Sequence, residues 1–135
     1  AADARALIAN CARWLTPGGK LLVEVHTFAE VKRQGMASPD WQRCPQGLFI
    51  ASPHLLLTEH DWNEETQTCS TRFWAIDENS NTTRFGSQMT AWHDEEYLHL
   101  LSDNGFSVLQ RPDNRAWPVS ETFEGKLYAL LAEKI

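Results

Sequence analysis

The sequence has little of what builds a secreted, membrane or nucleic-acid-binding protein. Its 12 lysines and arginines form no long cluster and are outnumbered by 18 acidic residues, for a net charge of −6. This balance disfavours binding to nucleic-acid phosphates or to an anionic membrane surface. No apolar run is long enough to span a bilayer, and no signal-peptide pattern is seen at the start. We therefore expect a cytoplasmic protein without a nucleic-acid or membrane partner.

Cysteine is also scarce, and motifs for metal or hydrolytic chemistry are missing. Cys11, Cys44 and Cys69 are odd in number and widely spaced, which fits reduced thiols better than a disulfide framework. Cys44 and Cys69 together with His54 and His60 show no metal-ligand spacing, so we expect no metal site. Neither a Gly-x-Ser-x-Gly elbow nor a phosphate-binding loop is present. Ser-His-Asp hydrolysis therefore has no support beyond the residue types.

What is present suits one folded domain over residues 1–135. The 42% share of apolar residues is ordinary for a globular protein. A helix is predicted over Asp3–Leu15, because its apolar residues recur at helical spacing. Pro17 cannot continue the helix, and the two glycines after it can adopt the positive φ of a helix exit. Lys20–Thr27 then predicts a buried strand of an α/β sheet.

The middle of the chain predicts an antiparallel meander over residues 54–92. Short polar segments separate three candidate strands, His54–Trp62, Thr66–Ile76 and Thr82–Trp92. Before them, Ala29–Gly35 predicts one or two helical turns. Gly35–Gly47 predicts an irregular connection, because it is rich in glycine, proline and serine.

The last third predicts a helix followed by two strands. The helix has acids in its first turn, after Trp92, and ends at Asn104-Gly105. The two strands are predicted over Phe106–Gln110 and Lys126–Glu133.

These parts, in this order, resemble the carboxyl-terminal half of a class I S-adenosylmethionine-dependent methyltransferase. The helix, the Leu-x-Pro-Gly-Gly turn and the strand within Trp14–Phe28 look like the family's fifth-strand region. The acid-rich helix that ends in Gly105-Phe106 resembles the element before its sixth strand. Lys126–Ala132 looks like its last strand, which inserts antiparallel between the fifth and sixth. The resemblance implies an α/β fold: a partial Rossmann-like sheet with an inserted three-stranded meander above the substrate pocket.

The resemblance implies the substrate-side half of a methyltransferase that acts on a small molecule. In the family, a Gly-x-Gly-x-Gly turn after the first strand and an acid after the second hold the cofactor, and this sequence has neither. S-adenosylmethionine is therefore expected in the complete enzyme. We expect no cofactor on this chain alone, and no activity without the other half.

Candidate catalytic residues follow the first predicted strand. In open α/β sheets, ligands bind beyond the carboxyl ends of the strands, which places Glu24, His26, Thr27 and Phe28 near a substrate. His26 is a candidate general base, and Glu24 a candidate to orient an amine or a hydroxyl. Thr27 and Phe28 are candidate substrate contacts. The alternative is that Glu24 and His26 only bind neighbouring backbone.

A second set of candidate substrate-binding residues lies in the connection and the meander. It consists of Trp41, His60, Trp62 and Trp74. Aromatic walls suit flat or cationic substrates, including a sulfonium centre. The alternative is that these rings fill the core.

Two further readings of the chain stay open. One is a non-enzymatic binding or assembly module that uses the aromatic meander, and the other is an independent α+β ligand-binding domain. In the resembled fold, Lys20–Thr27 also pairs with a fourth strand that this chain lacks. We therefore expect an open sheet edge, a bare helix surface on Leu7, Ile8 and Trp14, and self-association, most simply as a dimer.

Overall fold

The computed structural model describes residues 2–110 and 125–135. These residues form three helices and seven strands: α1 (Ala2–Trp14), β1 (Lys20–His26), α2 (Phe28–Gly35), β2 (Asp40–Cys44), β3 (His54–Asn63), β4 (Thr68–Asp77), β5 (Thr82–Thr90), α3 (Asp94–Asp103), β6 (Phe106–Gln110) and β7 (Leu127–Lys134). They divide into two compact units. The main unit comprises the described residues up to Glu30 and from Trp92 onward, and the inserted unit is Val31–Ala91. None of the described helices is long and apolar enough to cross a membrane.

The main unit is built on a three-stranded sheet with the order β1-β7-β6. β7 is antiparallel to both neighbours, and its pairing with β1 runs from Lys20 opposite Glu133 to His26 opposite Leu127. This arrangement confirms the prediction that the final strand inserts between the other two. The core beside the sheet is formed by buried residues of two helices and two strands: Ile8, Leu100, Leu101, Phe106 and Leu130.

Glycine ends both helices of the main unit that precede a strand, as predicted. Gly18 has a φ of 81°, and its N–H donates to the Lys134 carbonyl over 2.8 Å. Gly105 has a φ of 77° after the cap residue Asn104. The expectation of a positive φ for Gly19 is wrong. Gly19 is needed for space instead, because a Cβ there would lie 2.8 Å from the Thr16 carbonyl oxygen.

β1 is less buried than predicted. It lies at the edge of the sheet, and none of its residues is fully buried. Leu21, Val23 and Val25 pack against the core, whereas Leu22 on the opposite face is 47% exposed. The prediction of a buried strand is wrong because β1 has one strand neighbour and one covered face. The open edge that we expected is present among the described residues.

The apolar face of α1 also differs from the prediction. The residues that contact the core are spaced at three and four along the helix and include two alanines: Ala4, Ile8, Cys11, Ala12 and Leu15. This stripe leaves Leu7 and Trp14 outside, 58% and 79% exposed. The expectation that Ile8 is bare is therefore wrong, and the expectation for the other two is confirmed.

The inserted unit is a four-stranded antiparallel sheet with the order β2-β3-β4-β5. The three predicted strands are present, so the expected meander is confirmed with one addition. β2 lies inside Gly35–Gly47, where an irregular connection was predicted, and pairs with β3 from Asp40 opposite Thr58 to Cys44 opposite His54. Apolar and polar side chains do not alternate along Asp40–Cys44, so the sequence does not predict a strand there. The segment is a strand because it pairs with β3. One face of the sheet holds buried Leu56, Cys69 and Ala75.

Candidate functional site

The carboxyl end of β1 is fixed by Thr27, which joins it to α2. The Thr27 hydroxyl accepts a hydrogen bond from the Glu30 N–H over 3.2 Å, the geometry of a helix N-cap. It also donates to the Gly125 carbonyl over 3.3 Å, and the Thr27 N–H donates to the Lys126 carbonyl over 2.9 Å. The hydroxyl and the N–H of Thr27 are therefore both engaged within the protein, and its clearest role is structural.

His26 lies at the same end of β1 and has an unusual environment. Its Nδ1 is buried, and no described residue hydrogen bonds to it. The Tyr97 hydroxyl donates to the His26 carbonyl over 3.4 Å, which holds the last residue of β1 to the first turns of α3. Buried polar atoms are nearly always paired, so this nitrogen is a candidate for contact with a ligand.

Glu24 lies two residues before His26 and is exposed. Successive side chains of a strand alternate between faces, so Glu24 and His26 project to the same side of β1, about 7 Å apart along the strand. The structure therefore brings the two predicted catalytic residues to one face of an edge strand.

Phe28 and His93 form a stacked pair beside this strand end. Their ring centroids are 4.0 Å apart and the planes are inclined by 10°. Phe28 is the first residue of α2, and His93 precedes α3, where its N–H donates to the Glu96 carboxylate over 2.7 Å. His93 was not among the predicted site residues, because a histidine before an acid-rich helix start carries no signal beyond capping.

Two tyrosines and a tryptophan of the main unit form a second group of aromatic rings. Trp92 stacks on Tyr97 with centroids 5.6 Å apart, and Tyr97 meets the edge of Tyr128 at 6.3 Å. The Tyr128 hydroxyl donates to Asp94 over 2.8 Å. Burial raises the pKa of Tyr97, and the nearby carboxylates of Glu96 and Asp94 raise it further. Tyr97 therefore keeps its proton and remains a hydrogen-bond donor near neutral pH.

The four predicted residues of the inserted unit fall into two pairs on opposite faces of its sheet. Trp41 lies opposite Leu57 of β3, which in turn lies opposite Trp74 of β4, so both tryptophans share one face. They border an open, mostly apolar depression of about 850 Å³. Side chains alternate between the two faces along a strand. His60 and Trp62 are an odd number of residues from Leu57 in β3, so they project to the opposite face.

His60 and Trp62 are engaged in contacts within the inserted unit. His60 Nδ1 lies 3.1 Å from the Thr71 hydroxyl. The Trp62 indole N–H donates to Glu64, and Lys32 Nζ lies 2.9 Å from the same carboxylate and 5.6 Å from the centre of the indole ring. These hydrogen bonds, first from Trp62 and then from Lys32, lower the pKa of Glu64. These contacts engage the Trp62 ring with neighbouring side chains of the inserted unit.

Metal binding and disulfides find no support in the described part of the chain. Its histidine, cysteine, aspartate and glutamate side chains form no group of three that could hold a metal ion. The three cysteines are free thiols.

Comparison with known proteins identifies the fold. No family model matches the chain, and no curated protein matches it significantly in sequence. Among solved structures, a S-adenosylmethionine-dependent methyltransferase from Clostridium acetobutylicum is similar over 96% of this chain and 50% of its own, with a TM-score of 0.63 and 13% identity. The CcbJ methyltransferase from Streptomyces caelestis covers 96% of this chain and 49% of its own, with a TM-score of 0.62 and 15% identity. CalS10 from Micromonospora echinaspora is an amino pentose methyltransferase of calicheamicin biosynthesis. It is similar over 97% of this chain and 50% of its own, with a TM-score of 0.58 and 16% identity.

At these identities the likeness shows the fold. The chain has the α/β fold of half of a S-adenosylmethionine-dependent methyltransferase, as predicted, and its strand order corresponds to the carboxyl-terminal half. It spans about half the length of the solved structures that it matches.

Proposed function

We propose that this chain is the substrate-side half of a S-adenosylmethionine-dependent methyltransferase that acts on a small molecule. The observation that carries the proposal is the reversed strand β7, which lies between β1 and β6 in the order expected for the last three strands of such an enzyme. The likeness of nearly the whole chain to half of several methyltransferases supports it. One of them is named as an amino pentose methyltransferase, which makes amino sugars a first substrate class to test.

The residues present do not fit the cofactor by themselves. The described chain passes from a strand into a helix at β1–α2 and at β5–α3, and neither junction contains glycine. At the first junction the Thr27 hydroxyl caps α2 and the Phe28 ring stacks on His93. Neither junction therefore offers the glycine-rich turn through which bare backbone approaches a nucleotide. S-adenosylmethionine, when bound by the complete enzyme, supplies the methyl group.

The chain's own residues would hold the methyl acceptor and remove its proton. His26 is the proposed base, because its buried Nδ1 has no partner among the described residues and an acceptor amine or hydroxyl must lose a proton. Glu24 on the same face of β1 would orient the acceptor. The Phe28–His93 pair would form an aromatic wall, and the Tyr97 hydroxyl would fix the backbone of His26. Catalysis would rest chiefly on this positioning.

The test compares the chain with a form that includes whatever the reading frame encodes before Ala1. Calorimetric titration should show no useful binding of S-adenosylmethionine by the chain alone. Binding by the longer form, together with transfer of labelled methyl groups to an amino sugar or another small amine or alcohol, would support the proposal. Micromolar binding by the chain alone would contradict the assignment to the substrate side.

An assembly role is a second candidate function, and one observation favours it. Trp41 is 70% exposed on the face that it shares with Trp74. A large exposed aromatic group beside further apolar side chains is typical of an interaction surface.

A further inference from the structure

One face of the inserted unit is apolar and open to solvent. Five side chains from three adjacent strands form it, and we call it the Trp41 face: Trp41, Leu55, Leu57, Trp74 and Ile76. Trp41, Leu55 and Leu57 rank among the exposed large hydrophobic residues of the described chain. The core of the inserted unit lies on the other side of the sheet, where Leu56 and Ala75 are buried. The Trp41 face therefore contributes nothing to that core.

Charged residues of both signs border the Trp41 face in a fixed pattern. Strand pairing places Arg84 of β5 opposite Trp74. One step along the strands, Glu59 lies opposite Arg72, and the Arg72 Nε is 3.1 Å from the Glu59 carboxylate. On the other side of the tryptophan row, Leu55 and Ile76 are paired with each other, and Arg43 of β2 lies opposite Leu55.

We propose that a second copy of this chain docks on the Trp41 face about a twofold axis that runs parallel to the strands, between β3 and β4. This axis places β3 on the partner's β4 and β2 on the partner's β5, and it preserves position along the strands. Leu57 then faces the partner's Trp74, and Leu55 faces the partner's Ile76. Sheets pack face to face in this aligned manner when their inner faces are apolar.

The same axis also pairs the charges. Glu59 faces the partner's Arg72, and the symmetry repeats this contact, so the two ion pairs of the separate chains join into a ring of four alternating charges. Arg84 faces the partner's Trp41, the arrangement of a cation–π contact. Glu59, Arg72 and Arg84 thus each meet a group that stabilises the charge, and Arg43 faces the partner's Thr82.

A twofold axis that lies in the interface but runs across the strands gives a poorer match of the charges. A twofold axis across the strands, through the row of Trp41 and Leu57, would lay Glu59 on the partner's Leu55 and Arg72 on the partner's Ile76. Charges that are buried against aliphatic groups lose their hydration without compensation. The charge pattern therefore selects the axis parallel to the strands, and the proposal does not depend on methyl transfer.

A single substitution separates this surface from the open edge of β1. Leu57 and Leu22 are both leucines on exposed strand faces, so Leu57→Glu and Leu22→Glu are matched variants. Sedimentation at tens of micromolar should show a dimer for the original chain and for Leu22→Glu, and a monomer for Leu57→Glu with an unchanged circular dichroism spectrum. A monomeric original chain would overturn the proposal. So would a dimer that Leu22→Glu dissociates and Leu57→Glu leaves intact.

A mixing experiment tests the register and cannot be mimicked by misfolding. Glu59→Arg gives a chain with two positive charges in the ring, and Arg72→Glu gives one with two negative charges. Each alone should self-associate at least tenfold more weakly than the original chain, whereas an equimolar mixture should form one-to-one dimers by native mass spectrometry. The control pair is Lys32→Glu and Glu64→Lys, an exposed ion pair outside the Trp41 face. These controls should dimerise alone, and failure of the first mixture to form heterodimers would overturn the proposed register.

Discussion

Phe28 stacks on His93 with their rings 4.0 Å apart and nearly parallel, and this contact joins the end of β1 to the start of α3. Both residues sit where a strand or loop gives way to a helix. The wall beside the proposed site is therefore made by two helix starts that are distant in sequence, and its stability can be measured without knowing the substrate.

Replacement of Phe28 by leucine should lower the free energy of unfolding by about 1–3 kcal/mol, because the stacking contact and part of the buried area are lost. Urea denaturation followed by circular dichroism measures the change. His93→Phe is the control, since it keeps two stacked rings and should cost less. An equal loss in both variants would show that the imidazole, and not the stacking, carries the contact.

Thr27→Ala should destabilise the chain by about 1 kcal/mol, because the N-cap of α2 is lost. Thr27→Ser keeps the hydroxyl and should retain most of the stability in the same denaturation experiment. If the serine variant loses as much as the alanine variant, the hydroxyl is not the stabilising group.

Tyr97 should ionise at higher pH than a free tyrosine, because burial and the neighbouring carboxylates raise its pKa. Since the folded chain then holds this proton more tightly than the unfolded chain, Tyr97 contributes stability that is present below about pH 10 and is lost as the pH rises further. Absorbance titration of the phenolate gives the pKa. Tyr97→Phe should remove the late-ionising group and make stability fall less steeply above pH 10. Titration of both tyrosines of the chain at the ordinary value would contradict the expectation.

In a form that transfers methyl groups, His26→Gln should lower kcat by about 100-fold or more while KM changes little, because the proposed base is removed from a preserved site. The control is His99→Asn, because His99 lies on α3 outside the site. This variant should leave kcat and KM unchanged. Full activity of the glutamine variant would exclude His26 as the base.

The local signals in the sequence located most of the fold. Helix exits at Gly18 and Gly105 predicted where β1 and β6 begin, because a positive φ at these positions is a local property of the backbone. β2 was not predicted, since its residues become a strand only through pairing with β3. The exposure of Leu22 likewise depends on which strands are neighbours.

The candidate site was predicted only in part. The position of His26 followed from the end of a strand, but the stacking of Phe28 on His93 depends on how α3 packs against the sheet. The separation of Trp41 and Trp74 from His60 and Trp62 depends on strand register, which a one-residue shift would have reversed.

The position of β7 has a consequence for the order in which the molecule assembles. Its two neighbours in the sheet do not pair with each other, and β7 follows both of them in the chain. Among the described strands, β1 and β6 therefore have no neighbour to pair with until the last segment has been made. The inserted unit pairs each strand with the next along the chain, so its sheet can close before that segment has been made. Brief proteolysis of chains stalled on the ribosome should therefore show that the inserted unit becomes protease-resistant before the main unit does.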